Sequence, residues 1–451
     1  MKNKRREINQ EIYHLLIPMI VENILQISAG LISTAMIGRL LPLDISAQGI
    51  CIRVTDTLWC LYKGIAIGAT IMVAHSYGAG RKDRARRVVE QTFLTEIPLA
   101  VVFQILLFFF GIQVLGFFTA DAVVLNQAQQ YMRIIVVGFP FLVIMSVVSA
   151  AFQGFGDTKT PMYIALVMNV MNIICGYILI FGVANLPGLG VRGAAMALVI
   201  AQISGALLGL TLLYRRGKGL FADTKREARF FSLDRHCVFE VYTMGIPAAL
   251  ESMFWQFSAI ILSKVILTYG QSSFAAYQLG IQAETITEMP AIGFGTAATT
   301  LTARAIGKRD EELGDAYFKQ LLRIALRISV ITSMMLIFLP KLFMNLMTNN
   351  HELQMIGIVY VFVMGFIQIP QNLSRIYNGT LRANGYKNLP MYVAGFGIWI
   401  IRIPLCILIA YILKWDLVFI WLVIAMDQIS RFFLSVFLYK KLGKKTKYHP
   451  I

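Results

Sequence analysis

The segments LLIPMIVEN (residues 15–23) and MGIPAALES (244–252) share one frame, in which a proline is followed four residues later by a glutamate. Pro18 therefore corresponds to Pro247, and Glu22 corresponds to Glu251 at the same offset. Both motifs lie in long apolar runs, as expected for two copies of one membrane unit. The pair predicts a chain with an internal duplication.

Further positions match in the same order at nearly the same offset. Asp56 pairs with Glu284 in this way. The segments GFGDTKTPMY (154–163) and LRANGYKNLPMY (381–392) share Gly, Pro, Met and Tyr at the offset that relates the two proline motifs. Single matches arise by chance, but ordered matches at one offset indicate a repeat that takes up about half of the chain.

The composition places this repeat in a membrane. The chain has 451 residues, of which 57% are hydrophobic and 14% charged, whereas a soluble domain has about 25% charged residues. The mean hydropathy is +0.67. These values exclude a disordered chain, a coiled coil and a disulfide scaffold, and they argue against a soluble enzyme.

Apolar stretches with polar or Gly/Pro breaks predict twelve transmembrane helices, because each span needs about 20 apolar residues. The predicted spans are 12–38, 46–75, 88–118, 131–153, 161–186, 190–214, 238–267, 274–303, 319–347, 355–380, 390–413 and 416–438. The predicted fold class is an all-α polytopic membrane protein, with twelve transmembrane helices in two parallel-repeat six-helix bundles.

Basic residues set the predicted orientation. Lys and Arg number 41 and Asp and Glu 24, for a net charge of +17. Of the 41, 27 fall in alternate connecting segments, including Arg382, and four (Arg39, Arg192, Lys341 and Lys414) fall in the opposite ones. The positive-inside rule then predicts cytoplasmic termini in a plasma membrane, the inner membrane of a bacterium. Because the basic residues are spread over the connecting segments, they form no separate basic domain, and we expect no nucleic-acid partner.

Six spans per copy make the two repeats enter the membrane from the same side. The predicted domains are an N-terminal lobe (1–214), a basic cytoplasmic linker (215–237) and a C-terminal lobe with a basic cytoplasmic tail (238–451). Such lobes suit alternating access to a substrate cavity between them. A duplicated channel or scaffold is the alternative, and the different buried charges of the lobes favour a transporter.

Ionisable residues inside the spans are costly and therefore mark candidate sites. Glu251 follows Pro247, which removes a helical hydrogen bond and exposes carbonyl oxygens beside the carboxylate. This arrangement predicts a proton or sodium site. Gln256, Tyr277 and Gln278 are candidate cavity residues if spans 7 and 8 touch.

Glu284 and Glu288 lie one helical turn apart, so their like charges oppose joint ionisation. Glu284 is a candidate coupling residue, with pairing to Lys264 or another cation as the alternative, and Glu288 is a candidate cavity residue. Glu22 and Asp56 are the matching candidates in the first lobe. For these two a structural ion pair, such as Asp56 with Arg53, is an equal alternative.

Asp427 and Arg431 are spaced i,i+4 and are expected to pair as structural residues, with Arg402 nearby. The cysteines and histidines show no metal-ligand spacing, and no Ser/His/Asp or HExxH arrangement is present. We therefore expect no catalytic residues, no metal and no enzyme activity. A filter-like channel segment is not visible either.

The chain resembles the multidrug and toxic compound extrusion (MATE) family over almost its whole length. The resemblance rests on the order and spacing of several segments, including STAMIGRL (33–40), AHSYGAGRKDRA (74–85), GFGDTKTPMY (154–163), GLGVRGAAMA (188–197), MPAIGFGTAATTLTARAIGKRD (289–310), LRANGYKNLPMY (381–392) and WIIRIPL (399–405). The family implies twelve spans in two bundles and export of drug-like compounds against H+ or Na+ influx.

The family's span-7 glutamate matches Glu251, and a span-8 glutamate of some branches matches Glu284. The first-lobe aspartates of other members fall at Ser33 and Gly176 here, although Asn172, a candidate cavity residue, is kept. The resemblance therefore implies coupling at Glu251 with Glu284 and leaves the coupling ion open.

These observations predict an antiporter that exports small amphipathic or cationic organic compounds in exchange for H+ or Na+, with no other cofactor and as a monomer in the lipid bilayer. Aromatic faces suit organic cations. The alternative is a flippase of the same superfamily for lipid-linked or polysaccharide precursors. That activity would need a strongly cationic cavity, and the acids inside the spans favour the exporter.

Overall fold

The computed structural model describes residues 2–37, 42–118, 121–183, 186–216 and 232–443. These ranges contain twelve long helices, as predicted. They are α1 (Lys2–Ile37), α2 (Pro42–Gly78), α3 (Lys82–Gly116), α4 (Ala122–Phe155), α5 (Lys159–Phe181), α6 (Val191–Arg216), α7 (Arg235–Leu267), α8 (Gln271–Gly307), α9 (Glu311–Phe338), α10 (His351–Ala383), α11 (Leu389–Leu413) and α12 (Leu417–Gly443).

Among the described residues, ten of these helices are long and apolar enough on their own to cross a membrane. The other two are α1 and α8, which contain Glu22, Glu284 and Glu288. The spans are helical because the bilayer core offers no water to the backbone, so each N–H and C=O must bond within its own helix. The predicted fold class is confirmed, including its twelve helices.

Prolines locally modify several helices without ending them. Both α1 and α7 continue through Pro18 and Pro247. A 3-10 turn at Val136–Gly138 precedes Pro140 within α4, and π-helical turns flank Pro404 in α11. A proline cannot donate the helical hydrogen bond, so the backbone adjusts at these positions.

Two further elements connect long helices. A short helix, Pro340–Met347, joins α9 to α10. An antiparallel pair of two-residue strands, β1 (Gly182–Val183) and β2 (Leu186–Pro187), follows α5. Most of the predicted linker (217–231), part of the tail (444–451) and Arg39 lie outside the described residues.

The chain divides into two compact units. The N-terminal unit is Ile17–Ile246, and the C-terminal unit combines Met1–Leu16 with Pro247–Ile451. The unit boundaries therefore fall inside two continuous helices, next to Pro18 in α1 and at Pro247 in α7. We call residues 2–16 the α1 arm and residues 235–246 the α7 arm.

Each arm is fixed within its unit by a glutamate two turns before the proline. Glu11 of the α1 arm pairs with Arg304 at 2.9 Å and accepts a short hydrogen bond from Tyr317. Glu240 of the α7 arm pairs with Arg84 through both carboxylate oxygens, at 2.9 and 3.0 Å. Glu11 and Glu240 are separated by the same offset as Pro18 and Pro247, so the repeat extends to the anchoring of the arms.

Each unit contains clusters of buried apolar side chains. In the N-terminal unit, one cluster includes Tyr131 and Leu115 and a second includes Tyr62 and Phe139. In the C-terminal unit, a large cluster includes Trp421 and joins residues of several helices. Tyr277 and Tyr360, described below, belong to this large cluster.

Candidate functional site

Glu251 lies on α7, one turn after Pro247, and is bound by an arginine. Its Oε2 accepts a hydrogen bond from Nη2 of Arg382 at 2.6 Å. Arg382 is predicted from the sequence to be a cytoplasmic loop cation, but it lies near the end of α10, where only 11% of its side chain is exposed. The helix extends past the apolar run, so Arg382 lies in its last turn and not in a loop, and the carboxylate binds the guanidinium inside the unit. The cytoplasmic side of Arg382 stays a prediction.

The N-terminal unit repeats this contact without the charge. Glu22 is buried on α1, and its Oε2 accepts a hydrogen bond from Nε2 of Gln153 on α4 at 3.3 Å. Its other oxygen accepts from Gln26 at 3.4 Å. Gln153 corresponds to Arg382 at the same offset that relates Glu22 to Glu251. One site therefore occurs twice, with a neutral amide in one unit and a guanidinium in the other.

Glu284 is buried on α8 and accepts a hydrogen bond from the Tyr360 hydroxyl at 2.7 Å. Tyr360 packs edge-on against Tyr277 and Trp421, with ring centroids 5.5 and 5.0 Å away. Within the described residues Glu284 forms no ion pair, and Lys264, its suggested partner, is exposed. Aromatic packing therefore positions the hydroxyl that binds this carboxylate.

Glu288, one turn further along α8, is bound by α10. It pairs with Arg375 through a short contact and accepts a hydrogen bond from Gln371 at 3.1 Å. Glu284 and Glu288 are close enough to interact electrostatically. Glu284 and Glu288 are therefore close together, as predicted. Glu288 is in direct contact with the guanidinium of Arg375, and Glu284 is not.

Asp427 forms a deeply buried charge cluster in the C-terminal unit. Its Oδ2 lies 2.7 Å from Nη2 of Arg402 in an ion pair and accepts a hydrogen bond from Nη2 of Arg431 at 2.9 Å. The side chains of Asp427, Arg402 and Arg431 are 0%, 6% and 7% exposed. Both guanidinium groups lie over the Trp255 ring, 4.8 and 4.4 Å from its centroid. The predicted Asp427–Arg431 pair is present, and a second arginine completes it.

The remaining predicted residues are more dispersed. Asp56 is exposed on α2 and interacts electrostatically with Arg53 and Lys63. Asn172 is buried on α5. Gln256 on α7 and Gln278 on α8 are half-buried.

The resemblance implies aspartates at the positions of Ser33 and Gly176, and Gly176 lies where two helices meet. A Cβ on Gly176 of α5 would lie 3.4 Å from Cε of Met36 on α1, three residues beyond Ser33. α1 and α5 thus approach each other here, and neither Ser33 nor Gly176 offers a carboxylate. The acid of the N-terminal unit that lies on α1 is Glu22.

Sequence reasoning missed three polar residues inside the units. Arg375 and Tyr360 are the direct partners of Glu288 and Glu284. Glu96, on α3, is fully buried. The sequence does indicate Glu96, because an acid in the apolar segment TFLTEIPLA (92–100) is costly and therefore marks a candidate site. No pattern in the sequence indicates a role for Tyr360.

The profile of the family described as MatE matches the chain twice, over residues 18–178 and 247–408. The two matches begin at Pro18 and Pro247, which are equivalent residues of the repeat. Together they cover well over half of the sequence. The chain belongs to the MATE family of membrane transporters.

Curated relatives align over most of their length. The chain is 26% identical to the "Probable multidrug resistance protein NorM" of Thermotoga maritima over 440 residues, covering 96% of this chain and 94% of the relative. It is also 26% identical to the "Probable multidrug resistance protein YoeA" of Bacillus subtilis, covering 90% and 88%. These relatives are transport proteins and not enzymes, as predicted.

Solved structures show the same fold. A MOP superfamily transporter from Pyrococcus furiosus, described as having a binding pocket of reversed polarity, superposes with a TM-score of 0.89 at 19% identity over 98% of this chain and 97% of that one. An outward-facing multidrug resistance MATE transporter gives 0.88 at 19% over 96% and 95%. At 19% identity, the similarity to these structures is evidence for the fold alone.

Proposed function

We propose that the chain is a secondary active efflux transporter that exports small amphipathic or cationic organic compounds in exchange for H+ or Na+, by alternating access. The observation that carries this proposal is the pair of repeated acids, Glu22 and Glu251, which occupy equivalent positions and have different partners. An acid that exchanges its bound ion needs a neighbourhood that tolerates both charge states, and a neutral partner allows this.

The structure favours Glu22 and Glu284 as the residues that bind the coupling ion. Glu22 is bound by the amides of Gln153 and Gln26, and Glu284 by the hydroxyl of Tyr360. Amide and hydroxyl groups can bond to either form of a carboxyl group. Each site can therefore lose and regain a proton, or exchange it for Na+, without breaking an ion pair.

Glu251 has a different part in this proposal. Arg382 neutralises it, so binding of a further cation would first have to separate the two charges. We assign Glu251 to a pair that opens during transport, and Asp56, with Arg53 and Lys63 nearby, to an auxiliary position. Tyr277, Gln256, Gln278, Glu288 and Asn172 are retained as candidate substrate contacts.

The names of the relatives support organic compounds as substrates, since both are described as probable multidrug resistance proteins. The acidic residues and exposed aromatic faces suit cations. The flippase alternative needs an unneutralised cationic cluster for a pyrophosphate. In the described part of the C-terminal unit, Arg375, Arg382, Arg402 and Arg431 are each paired with an acid, so that alternative is not favoured.

The proposal places the protein in the plasma membrane, the inner membrane of a bacterium, as a monomer with both termini in the cytoplasm. The distribution of Lys and Arg along the sequence supports the orientation of the termini, and the bacterial relatives support this membrane. No cofactor other than the coupling ion is required.

Efflux from energised cells tests the proposal. Cells that express the chain and are loaded with the fluorescent cation ethidium should lose it faster than cells with an empty vector. Glu284→Gln should lower the rate at least tenfold, whereas Asp315→Asn, at an exposed pair with Lys319, should not. Equal rates for the wild type and the empty vector would contradict the proposal.

A further inference from the structure

Glu96 lies near the middle of α3, about 21 Å along the helix from Lys82 at 1.5 Å per residue. Its side chain is fully buried, and among the described residues neither carboxyl oxygen has a hydrogen-bond partner. No Lys or Arg of the described chain interacts with it electrostatically. This buried acid is therefore unlike Glu22 and Glu251, which have direct partners.

Two tyrosines interact electrostatically with Glu96. They are Tyr62 of α2 and Tyr242 of α7. The Tyr62 hydroxyl is buried and, in the described structure, also lacks a hydrogen-bond partner. The Tyr62 ring packs in an apolar cluster with Phe139 and Val143 of α4, and the Phe139 ring lies 5.4 Å from it.

The helices around this acid are tightly packed. Gly68 of α2 and Gly245 of the α7 arm face each other so closely that a Cβ on Gly68 would lie 2.5 Å from the carbonyl oxygen of Val241. Tyr62 is six residues before Gly68, and Tyr242 is three residues before Gly245. The two phenols are thus held on helices whose backbones are in contact.

An ionised carboxylate in this position would lack any compensating cation. Ionised groups inside a bilayer are costly even on the lowest scales. A metal cation would need a shell of oxygen ligands, and the described residues contain no group of three or more His, Cys, Asp or Glu side chains that could hold one. The carboxylic acid form is neutral and can donate a hydrogen bond to a phenol oxygen. The environment therefore selects a bound proton.

A line of polar groups leads from the edge of the N-terminal unit toward Glu96. Gln91 Nε2 donates to the Ser232 carbonyl at 2.9 Å, and its Oε1 accepts from the N–H of Asp234 at 2.9 Å. Thr95 Oγ1 donates to the Gln91 carbonyl at 2.9 Å. Ser232 is exposed and Asp234 is half-buried. The line thus ends at the surface of the unit.

We propose that Glu96 is a proton-binding carboxyl group of the N-terminal unit. Uptake moves one proton from a hydronium ion of the solvent to a carboxylate oxygen of Glu96, and it leaves the neutral acid and water. Release is the same transfer in reverse. The transport role of this proton rests on the proposed function, but its binding does not.

Infrared spectroscopy of the purified protein tests the binding directly. The wild type at neutral pH should show the C=O stretch of a protonated carboxyl group that Glu96→Gln lacks. The control Glu90→Gln removes an acid from the same helix that is paired with Arg86 at 2.5 Å, and it should leave this band unchanged. If the Glu96→Gln spectrum retains the full band, the proposal is wrong.

Transfer into D2O tests whether the bound proton exchanges with solvent. The band that Glu96→Gln lacks should shift in the wild type as deuterium replaces the proton. A band that does not shift in D2O would show that Glu96 cannot take up and release its proton, and it would overturn the proposal.

Transport separates this inference from the proposed function. If the wild type moves tetraphenylphosphonium on a pH gradient and Glu96→Gln does so at the same rate, Glu96 has no part in coupling although the exporter proposal stands. If the wild type moves no organic cation, the exporter proposal fails while the band still reports on Glu96. If the wild type shows proton-driven transport and Glu96→Gln loses it, the result supports both the exporter proposal and the role of Glu96 in coupling.

Discussion

Glu251 accepts a 2.6 Å hydrogen bond from Arg382, and the equivalent residues of the other unit, Glu22 and Gln153, meet at 3.3 Å. The duplicated site has thus kept its carboxylate and changed its partner. An arginine fixes a carboxylate in its ionised form, and an amide does not. The two units therefore offer one acid that is already neutralised by an arginine and one whose direct partners are neutral.

The first prediction changes the partner of Glu22. Gln153→Arg gives Glu22 a guanidinium, so we expect ion-driven transport to fall at least tenfold, a change of about 1.4 kcal/mol. Substrate binding, measured by quenching of tryptophan fluorescence, should persist. The control Gln130→Arg, at a half-buried position where Gln130 accepts hydrogen bonds from Arg192, introduces the same charge elsewhere. Normal coupling in Gln153→Arg would argue against Glu22.

A second prediction concerns the cluster around Asp427. Asp427→Asn leaves Arg402 and Arg431 buried without their shared counter-charge. Breaking a buried pair in this way costs roughly 3–5 kcal/mol, so the midpoint of thermal unfolding should drop clearly. The exposed pair of Asp315 and Lys319 contributes about 0–1 kcal/mol, so Asp315→Asn should leave the midpoint nearly unchanged. A similar midpoint for the two variants would show that the cluster is not structural.

A third prediction isolates the hydroxyl that binds Glu284. Tyr360→Phe removes the 2.7 Å hydrogen bond and keeps the ring packed on Trp421. A hydrogen bond to a charged group contributes about 1.5–3 kcal/mol, and its loss should change the pH dependence of transport more than the amount of folded protein. Tyr377→Phe, in a separate aromatic cluster of the same unit, is the control. Identical pH profiles for both variants would exclude a role for this hydroxyl.

A fourth prediction addresses the anchoring of the α7 arm. Glu240→Gln weakens the contact with Arg84, so hydrogen exchange of residues 235–246 should speed up while the rest of α7 keeps its protection. The pair is partly exposed, and the effect on overall stability should be small. Glu11→Gln should act in the same way on residues 2–16. Unchanged exchange in both arms would mean that apolar packing alone holds them.

A fifth prediction uses the close approach of α2 and α7. In Gly245→Ala, the new methyl group would lie 2.5 Å from Cα of Ile65. Because a backbone atom cannot move aside as a side chain can, we expect destabilisation of about 1–3 kcal/mol. Gly116→Ala, which has open space around it, should be neutral or slightly stabilising. Equal stability of the two variants would contradict this packing.

The sequence predicted the helices, their number and the repeat well, because a bilayer leaves the backbone almost no other choice. The positions of Glu22, Glu251 and Glu284 also followed from the cost of a charge in an apolar run. These signals are local, and each can be read from one segment of the chain.

The partners of these acids could not be predicted in the same way. Arg382 lies at the end of an apolar run, which places it in a loop on sequence grounds, although it is the repeat equivalent of Gln153. Gln153 and Arg382 are separated by the same number of residues as Glu22 and Glu251, so the repeat itself relates these two partners. Neither the repeat nor the cost of buried charge predicts the role of Tyr360, since that role depends on how α8, α10 and α12 pack together.

The central claim is that an ion gradient drives export of an organic cation through buried acids. Uptake of tetraphenylphosphonium into proteoliposomes, under an imposed H+ gradient and separately under an imposed Na+ gradient, tests it most directly. The account predicts uptake with one of the gradients, little uptake without a gradient, and loss of the driven component in Glu22→Gln. Uptake that is equal with and without either gradient, or driven uptake unchanged in Glu22→Gln, would contradict it.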